Sequence, residues 1–172
     1  MKSHENDYNN RQTFSKKDGD ILEKKRRGIK RHESLQPLSR HHMVALHLAL
    51  KLKRAGTDKS QLTKEELKQE VQDFWMPDGR DHFREEEEIL LTAFAQHAPI
   101  NRQEIIDMLL EHVQVRALID TILKMEDIDV TVMHELGEVL ENHVRKEERI
   151  VFPMIEKALP EDVLVEIAPY LH

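Results

Sequence analysis

His82-Phe83-Arg84-Glu85-Glu86 and His143-Val144-Arg145-Lys146-Glu147 decide how this chain is read. Each sets a glutamate four residues after a histidine, and each lies on an apolar stripe. Ile89, Leu90 and Ala93 follow the first pair, and Leu136 and Leu140 precede the second. Residues four apart stack on one face of an α-helix, so either pair offers an imidazole nitrogen and a carboxylate oxygen to one buried point. Two further amphipathic runs carry inward-facing histidines, His42 and His112. A neutral imidazole ligates one metal, whereas a carboxylate can use both oxygens to bridge two. Four helices supplying His42, His82, Glu86, His112, His143 and Glu147 to a shared interior therefore point to a pair of metals, iron foremost.

Chance has to be set against that pattern. With 11 histidines and 21 glutamates in 172 positions, about one His-x-x-x-Glu arises at random; the chain has three. The third, His134/Glu138, sits nine residues before the last pair, a rotation of about 180°. It faces away from His143 and is expected to be a solvated contact between neighbouring turns. On the first helix His42 shares the face of Leu38 and Leu46. His41, about 100° away, is expected behind the site or at the surface. His97 lies roughly 16 Å along the helix from Glu86 and is too distant.

Outward from these motifs the chain reads as helix after helix. A run from Pro37 to Arg54 carries Leu38, His42, Ala45, Leu46, Ala49 and Leu52 on one face and ends at Ala55-Gly56. Thr63-Lys-Glu-Glu66 reads as a capping box. It opens a run that breaks near Pro77-Asp78-Gly79 and resumes through His82 and Glu86. A third run, with a capped start expected at Asn101, presents Ile105, Met108, Leu109, His112, Ile119 and Leu123. A fourth carries Val132, Leu136, Leu140, His143 and Glu147, with Pro153 near its end, and a short segment follows Pro160. The expected fold is all-α: an antiparallel four-helix bundle over residues 35–172 with a short C-terminal helix. Residues 1–34 are expected to form a flexible basic arm.

Composition narrows the chemistry further. There is no cysteine, which removes disulfides, thiolate zinc, iron–sulfur clusters and thiol nucleophiles. Any metal must be held by His, Asp and Glu, a donor set that iron, manganese and zinc all accept. Residues 1–33 carry +4 and the remainder −11, together the net −7. A basic arm on an acidic body leaves room for a protein partner, while nucleic acid is not an expected one. No run approaches the roughly 20 apolar residues of a membrane span. The N-terminus lacks the apolar core of a secretory signal, so the cytoplasm is the expected address.

The order and spacing of Pro37-Leu-Ser-Arg-His-His42, His82-Phe-Arg-Glu-Glu86, Glu111-His112 and His143-Val-Arg-Lys-Glu-Glu148, followed by Phe152-Pro153, resemble the hemerythrin-like (HHE) family. Members are four-helix, non-heme diiron proteins, and the resemblance spans about residues 37–160. It implies that His42 and His82 hold one iron and His112 and His143 the other. Glu86 and Glu147 would bridge them, and an oxo or hydroxo species would complete the centre. Ferritin-like proteins use Glu-x-x-His, and no histidine here has a glutamate three positions before it. The pattern also departs from the oxygen carriers, which place a second histidine four after the one on the third helix and use aspartate as second bridge. Here those positions are Arg116 and Glu147. Arg116 is expected either to balance a carboxylate or an anionic oxygen ligand or to snorkel at the core edge.

The function expected from the resemblance is binding or sensing of oxygen-derived species, nitric oxide or iron, with O2, peroxide or NO as the small ligand. A redox enzyme decomposing peroxide or nitric oxide at the same centre is the first alternative. An interaction module with a structural metal is the second. No nucleophile or acid/base constellation marks an enzyme, so enzymatic turnover is not the leading expectation.

Overall fold

In the computed structural model, which describes residues 28–172, every regular element is helical and no strand occurs among the described residues. Residues 1–27, the greater part of the expected arm, lie outside the described residues. Arg31–His172 form one unit.

Local chemistry sets the boundaries. Helix α1 (Gln36–Lys53) carries a proline in its first turn, where the missing N–H costs nothing. The chain leaves it through Gly56 at φ 70°, a left-handed position that glycine tolerates. Helix α2 (Lys64–Phe74) begins with the expected capping box: Thr63 Oγ1 accepts from Glu66 N, and Glu66 Oε2 accepts from Thr63 N. Its run breaks at Met76 (φ −121°, ψ 115°), just before Pro77. It resumes as α3 (Arg80–Arg84), widens into a π-helical segment (Glu85–Leu90) and ends as α4 (Leu91–His97).

Helix α5 (Gln103–Lys124) does not use the cap expected at Asn101. The capping position is Arg102, with no side-chain bond. Helix α6 (Val130–Lys146) starts on Asp129, whose carboxylate accepts from Thr131 N at 2.8 Å. It passes through a second π-helical segment (Glu147–Val151) into α7 (Phe152–Ala158), so Pro153 begins a helix rather than ending one. Helix α8 (Glu161–Ile167) follows Pro160.

Helix α1 packs along α6 and against α2, and α5 packs against α6 and α2. The approach of α1 to α6 depends on Gly137. A Cβ there would lie 2.9 Å from the Ala49 carbonyl oxygen and 2.8 Å from Lys53 Cγ. Two apolar clusters form the core. One holds Leu48, Leu52, Val71, Ile119 and Met133, the other Leu38, Leu90, Phe94, Met108 and Phe152.

His42, Glu86, His112 and Glu147 fall between the two clusters, with His82 and His143 one turn before the two glutamates. Along α1, Leu38 belongs to one, Ala45 to the other, and His42 lies between them. Along α5, Met108, His112 and Val115 repeat the order. A polar layer thus separates two apolar ones.

Two expected faces are phased differently. Leu48 rather than Leu46 is fully buried on α1. On α5, Val115 and Ile122 are buried, while Leu109 is exposed. Within the range expected for the arm, Arg31 and Ser34 are buried. No helix among the described residues is long and apolar enough to cross a membrane.

Candidate metal centre

All six candidate residues meet in the polar layer. His42, His82, His112 and His143 are at most 4% exposed, and Glu86 and Glu147 are fully buried. They divide into two sets sharing both carboxylates: His42, His82, Glu86 and Glu147, and His112, His143, Glu86 and Glu147. Within each, the four donor atoms lie within 4.8 Å of one another and could hold an ion.

Each glutamate divides its oxygens between the sets. Glu86 Oε1 is 3.2 Å from His82 Nε2 and 3.5 Å from His42 Nε2, while its Oε2 is 3.3 Å from His112 Nε2. Glu147 Oε2 is 3.0 Å from His42 Nε2. Its Oε1 is 3.2 Å from His143 Nε2 and 3.5 Å from His112 Nε2.

Orphaned atoms test whether a cation fits this arrangement. Among the described residues, all four oxygens of Glu86 and Glu147 lack a hydrogen-bond partner, as do Nε2 of His112 and His143. Nε2 of His42 and His82 face each other at 3.0 Å. A buried carboxylate without a donor is costly, and several kcal/mol per ion is typical. Metal ions would supply the missing positive charge for oxygens and ring lone pairs aimed at the same two places. The donor set fits.

Behind the rings, three further carboxylates fix the imidazoles. His42 Nδ1 donates to Glu148 at 2.7 Å, His112 Nδ1 to Glu87 at 2.7 Å, and His143 Nδ1 to Glu111 at 3.1 Å. A proton held on Nδ1 leaves the Nε2 lone pair free for a metal. Each outer carboxylate also meets a base. Arg31 Nη2 donates to Glu148 at 2.8 Å, Arg116 Nη2 donates to Glu87 at 2.8 Å, and Lys146 Nζ donates to Glu111. Ser39 Oγ adds a bond of 2.6 Å to Glu148.

His82 has no such support, and its Nδ1 is unpartnered. Its ring is instead stacked on His41, with centroids 4.5 Å apart. Phe83 stacks on His112 at 3.8 Å.

Charge balance follows the contacts. Burial alone would raise Glu86 and Glu147, but the surrounding histidines outweigh it. Glu86 is held well below the ordinary carboxylate value and Glu147 is lowered to about 2. Burial likewise opposes charge on His42 and His112, yet the facing carboxylates raise both well above 6.5. His41 runs the other way. Burial, then the charges of His82 and His42, lower it to about 4.

The residues set aside also have places. Among the described residues His134 makes no ion pair with Glu138; its Nε2 bonds the Ala55 carbonyl at 2.8 Å, fastening the end of α1 to α6. His32, expected in the arm, has its backbone N–H bonded to Glu156 at 2.8 Å. Arg116 meets the outer carboxylate of Glu87 and lies over the Phe83 ring, 5.3 Å from its centroid.

Sequence reading gives Glu87, Glu111, Glu148 and Arg31 no role at the site, although Glu111 and Glu148 lie in the segments that carry the family resemblance. The signal was adjacency, since each of the three acids sits next to a candidate residue. A void of about 10 Å³, roughly one water in size, lies against His42, His82 and His143 and is also lined by His41 and by apolar groups including Phe74 and Leu140.

A family model described as the hemerythrin HHE cation binding domain matches residues 34–155. No curated protein and no solved structure matches the chain.

Proposed function

The chain belongs to the hemerythrin HHE cation-binding family, and on that footing we propose that it binds two iron ions and responds to oxygen-derived species, nitric oxide or iron supply. The helices are read as an antiparallel four-helix bundle around the centre. His42 and His82 would hold one ion and His112 and His143 the other, with Glu86 and Glu147 between them. Bound iron would supply a redox couple and an exchangeable position for a small ligand.

The chain's own residues orient and exclude. Glu148, Glu87 and Glu111 hold protons on Nδ1 of three rings, presenting the opposite nitrogens inward. The two apolar clusters close both ends of the polar layer to water. The small void beside three of the histidines admits only a ligand of a few atoms.

One observation carries this reading: two fully buried carboxylates whose four oxygens lack a hydrogen-bond partner among the described residues, each split between two histidine pairs. Anaerobic refolding with ferrous iron, followed by metal analysis and absorption spectroscopy on air exposure, tests it. Two irons per chain and a ligand-to-metal band are expected. Failure to bind iron stoichiometrically overturns the proposal.

A further inference from the structure

Helix α5 is apolar on both sides. It buries Ile105, Met108, Val115, Ile119 and Ile122 beside His112. On the opposite side Ile106, Leu109, Leu110 and Val113 are 41, 37, 63 and 61% exposed. Their spacing of i, i+3, i+4, i+7 makes one continuous stripe, and exposed Ala117 extends it by a turn. Contiguous apolar patches of a few hundred Å² are on the scale that is often functional. The exposed apolar residues of α1, Met43, Val44 and Leu50, are interrupted by exposed His47.

We propose that this face of α5 is a pairing surface for a second copy of the chain, the two α5 helices running antiparallel across a twofold axis. The seam Ile106, Leu110, Val113, Ala117 has the four–three–four spacing of paired helices. It is self-complementary when reversed: Leu110 falls opposite Val113, and Ile106 opposite Ala117.

The charges agree with that register. Arg102 and Asp120 lie on the same edge of the seam and at nearly equal distances from its midpoint. In an antiparallel pair the same edges meet, so each Arg102 comes beside Asp120 of the second copy, twice per dimer. Among the described residues of one chain, Arg102 pairs with Glu104 at 3.8 Å and Asp120 with Lys124 at 2.7 Å, and Arg102, Asp120 and Lys124 are exposed. The other edge carries Gln103, Gln114 and Thr121, with Asp107 already bonded by Gln103 at 2.6 Å. No like charges are forced together. An isologous contact also closes, whereas α5 against a different face would propagate.

Sedimentation equilibrium of the full chain over a concentration series tests this, with metal content measured in parallel as an independent check on folding. The mass should rise from one chain to two. Leu110→Glu should give a monomer throughout with unchanged metal content. Arg102→Asp and Asp120→Arg should each weaken pairing, by roughly five- to tenfold for two lost exposed ion pairs. An equimolar mixture of these two variants should recover pairing to within about twofold of the native constant, because both ion pairs reform in the mixed dimer. A monomer at every concentration, or self-association unaffected by Leu110→Glu, overturns the proposal. Failure of the mixture to recover overturns the antiparallel register.

Discussion

Glu148→Gln and Glu87→Gln are the same chemical change, and the structure assigns them different costs. Glu148 uses both oxygens. Oε1 accepts from His42 Nδ1 at 2.7 Å and Ser39 Oγ at 2.6 Å, and Oε2 accepts from Arg31 Nη2 at 2.8 Å. An amide in its place has one acceptor and one donor, so whichever way it turns its NH2 faces a donor. Turned toward Arg31, it loses the charged bond to a nearly buried guanidinium. Turned toward His42, it drives the imidazole proton to Nε2 and removes the inward lone pair.

Glu87 accepts from both His112 Nδ1 (2.7 Å) and Arg116 Nη2 (2.8 Å) on the one oxygen Oε1. An amide there keeps both bonds and turns its NH2 outward. Hydrogen bonds to charged groups contribute about 1.5–3 kcal/mol, and losing a carboxylate behind a ligating histidine costs about 10–100-fold in metal affinity. Glu148→Gln should fall in that range. Glu87→Gln loses only the charge of a partly exposed pair, about 1 kcal/mol or less and therefore up to about fivefold. Chelator-competition titrations of both variants measure the difference. Equal losses, or a larger loss in Glu87→Gln, would refute the assigned roles.

Removing metal should lower the melting temperature by roughly 5–15 °C, since ligand at 100–1,000 times Kd adds about 3–4 kcal/mol and each is worth about 2–4 °C at this size. Calorimetry with and without chelator checks this, and coincident transitions would contradict a bound metal. His143→Ala should reduce metal per chain from two to one or fewer while His134→Ala leaves it unchanged; metal analysis reversing that order would exchange their roles. His42 and His112 have raised folded values, so their contribution to apo stability is complete below pH 6.5 and lost as pH rises through those values. Urea midpoints of the apo chain should fall above neutrality, and a rise would contradict the sign. Gly137→Val should destabilise by about 1–3 kcal/mol by overpacking against the Ala49 carbonyl; an unchanged denaturation midpoint would show that α1 and α6 part freely.

Helical phase made the inner residues legible. Once His42 shared a face with Leu38, and His143 with Leu140, the period of the helix aimed them inward. The same projection failed on α5, where apolar residues surround the axis. It places Leu109 on the inner face and passes over Val115, and Val115 is the one buried. The outer carboxylates were harder to find because their contacts join helices. Glu148 reaches His42 across 106 residues and Glu87 reaches His112 across 25, and no periodicity links such pairs. Arg31 was masked by the basic composition around it, although it is 8% exposed and bonds both the backbone and the side chain of Glu148.

Two π-helical segments connect local sequence to this design. Each begins at or just before the inner glutamate, at Glu85 and Glu147, and such wide turns often accompany functional sites. In each, consecutive acids do different work. Glu86 and Glu147 point into the layer, while Glu87 and Glu148 reach the Nδ1 of a histidine on another helix. The outer acids are balanced by protein: Glu148 by Arg31, Glu87 by Arg116 and Glu111 by Lys146. Arg116, at the position where oxygen carriers place a further histidine, therefore completes an outer ion pair. The two inner carboxylates have no lysine or arginine beside them among the described residues. Neutralising them by protonating imidazoles would consume the lone pairs that three outer carboxylates are positioned to preserve. Cations held between the paired nitrogens satisfy both demands at once, which is why the charge arrangement, more than the ligand count alone, favours a metal centre over a buried hydrogen-bond network.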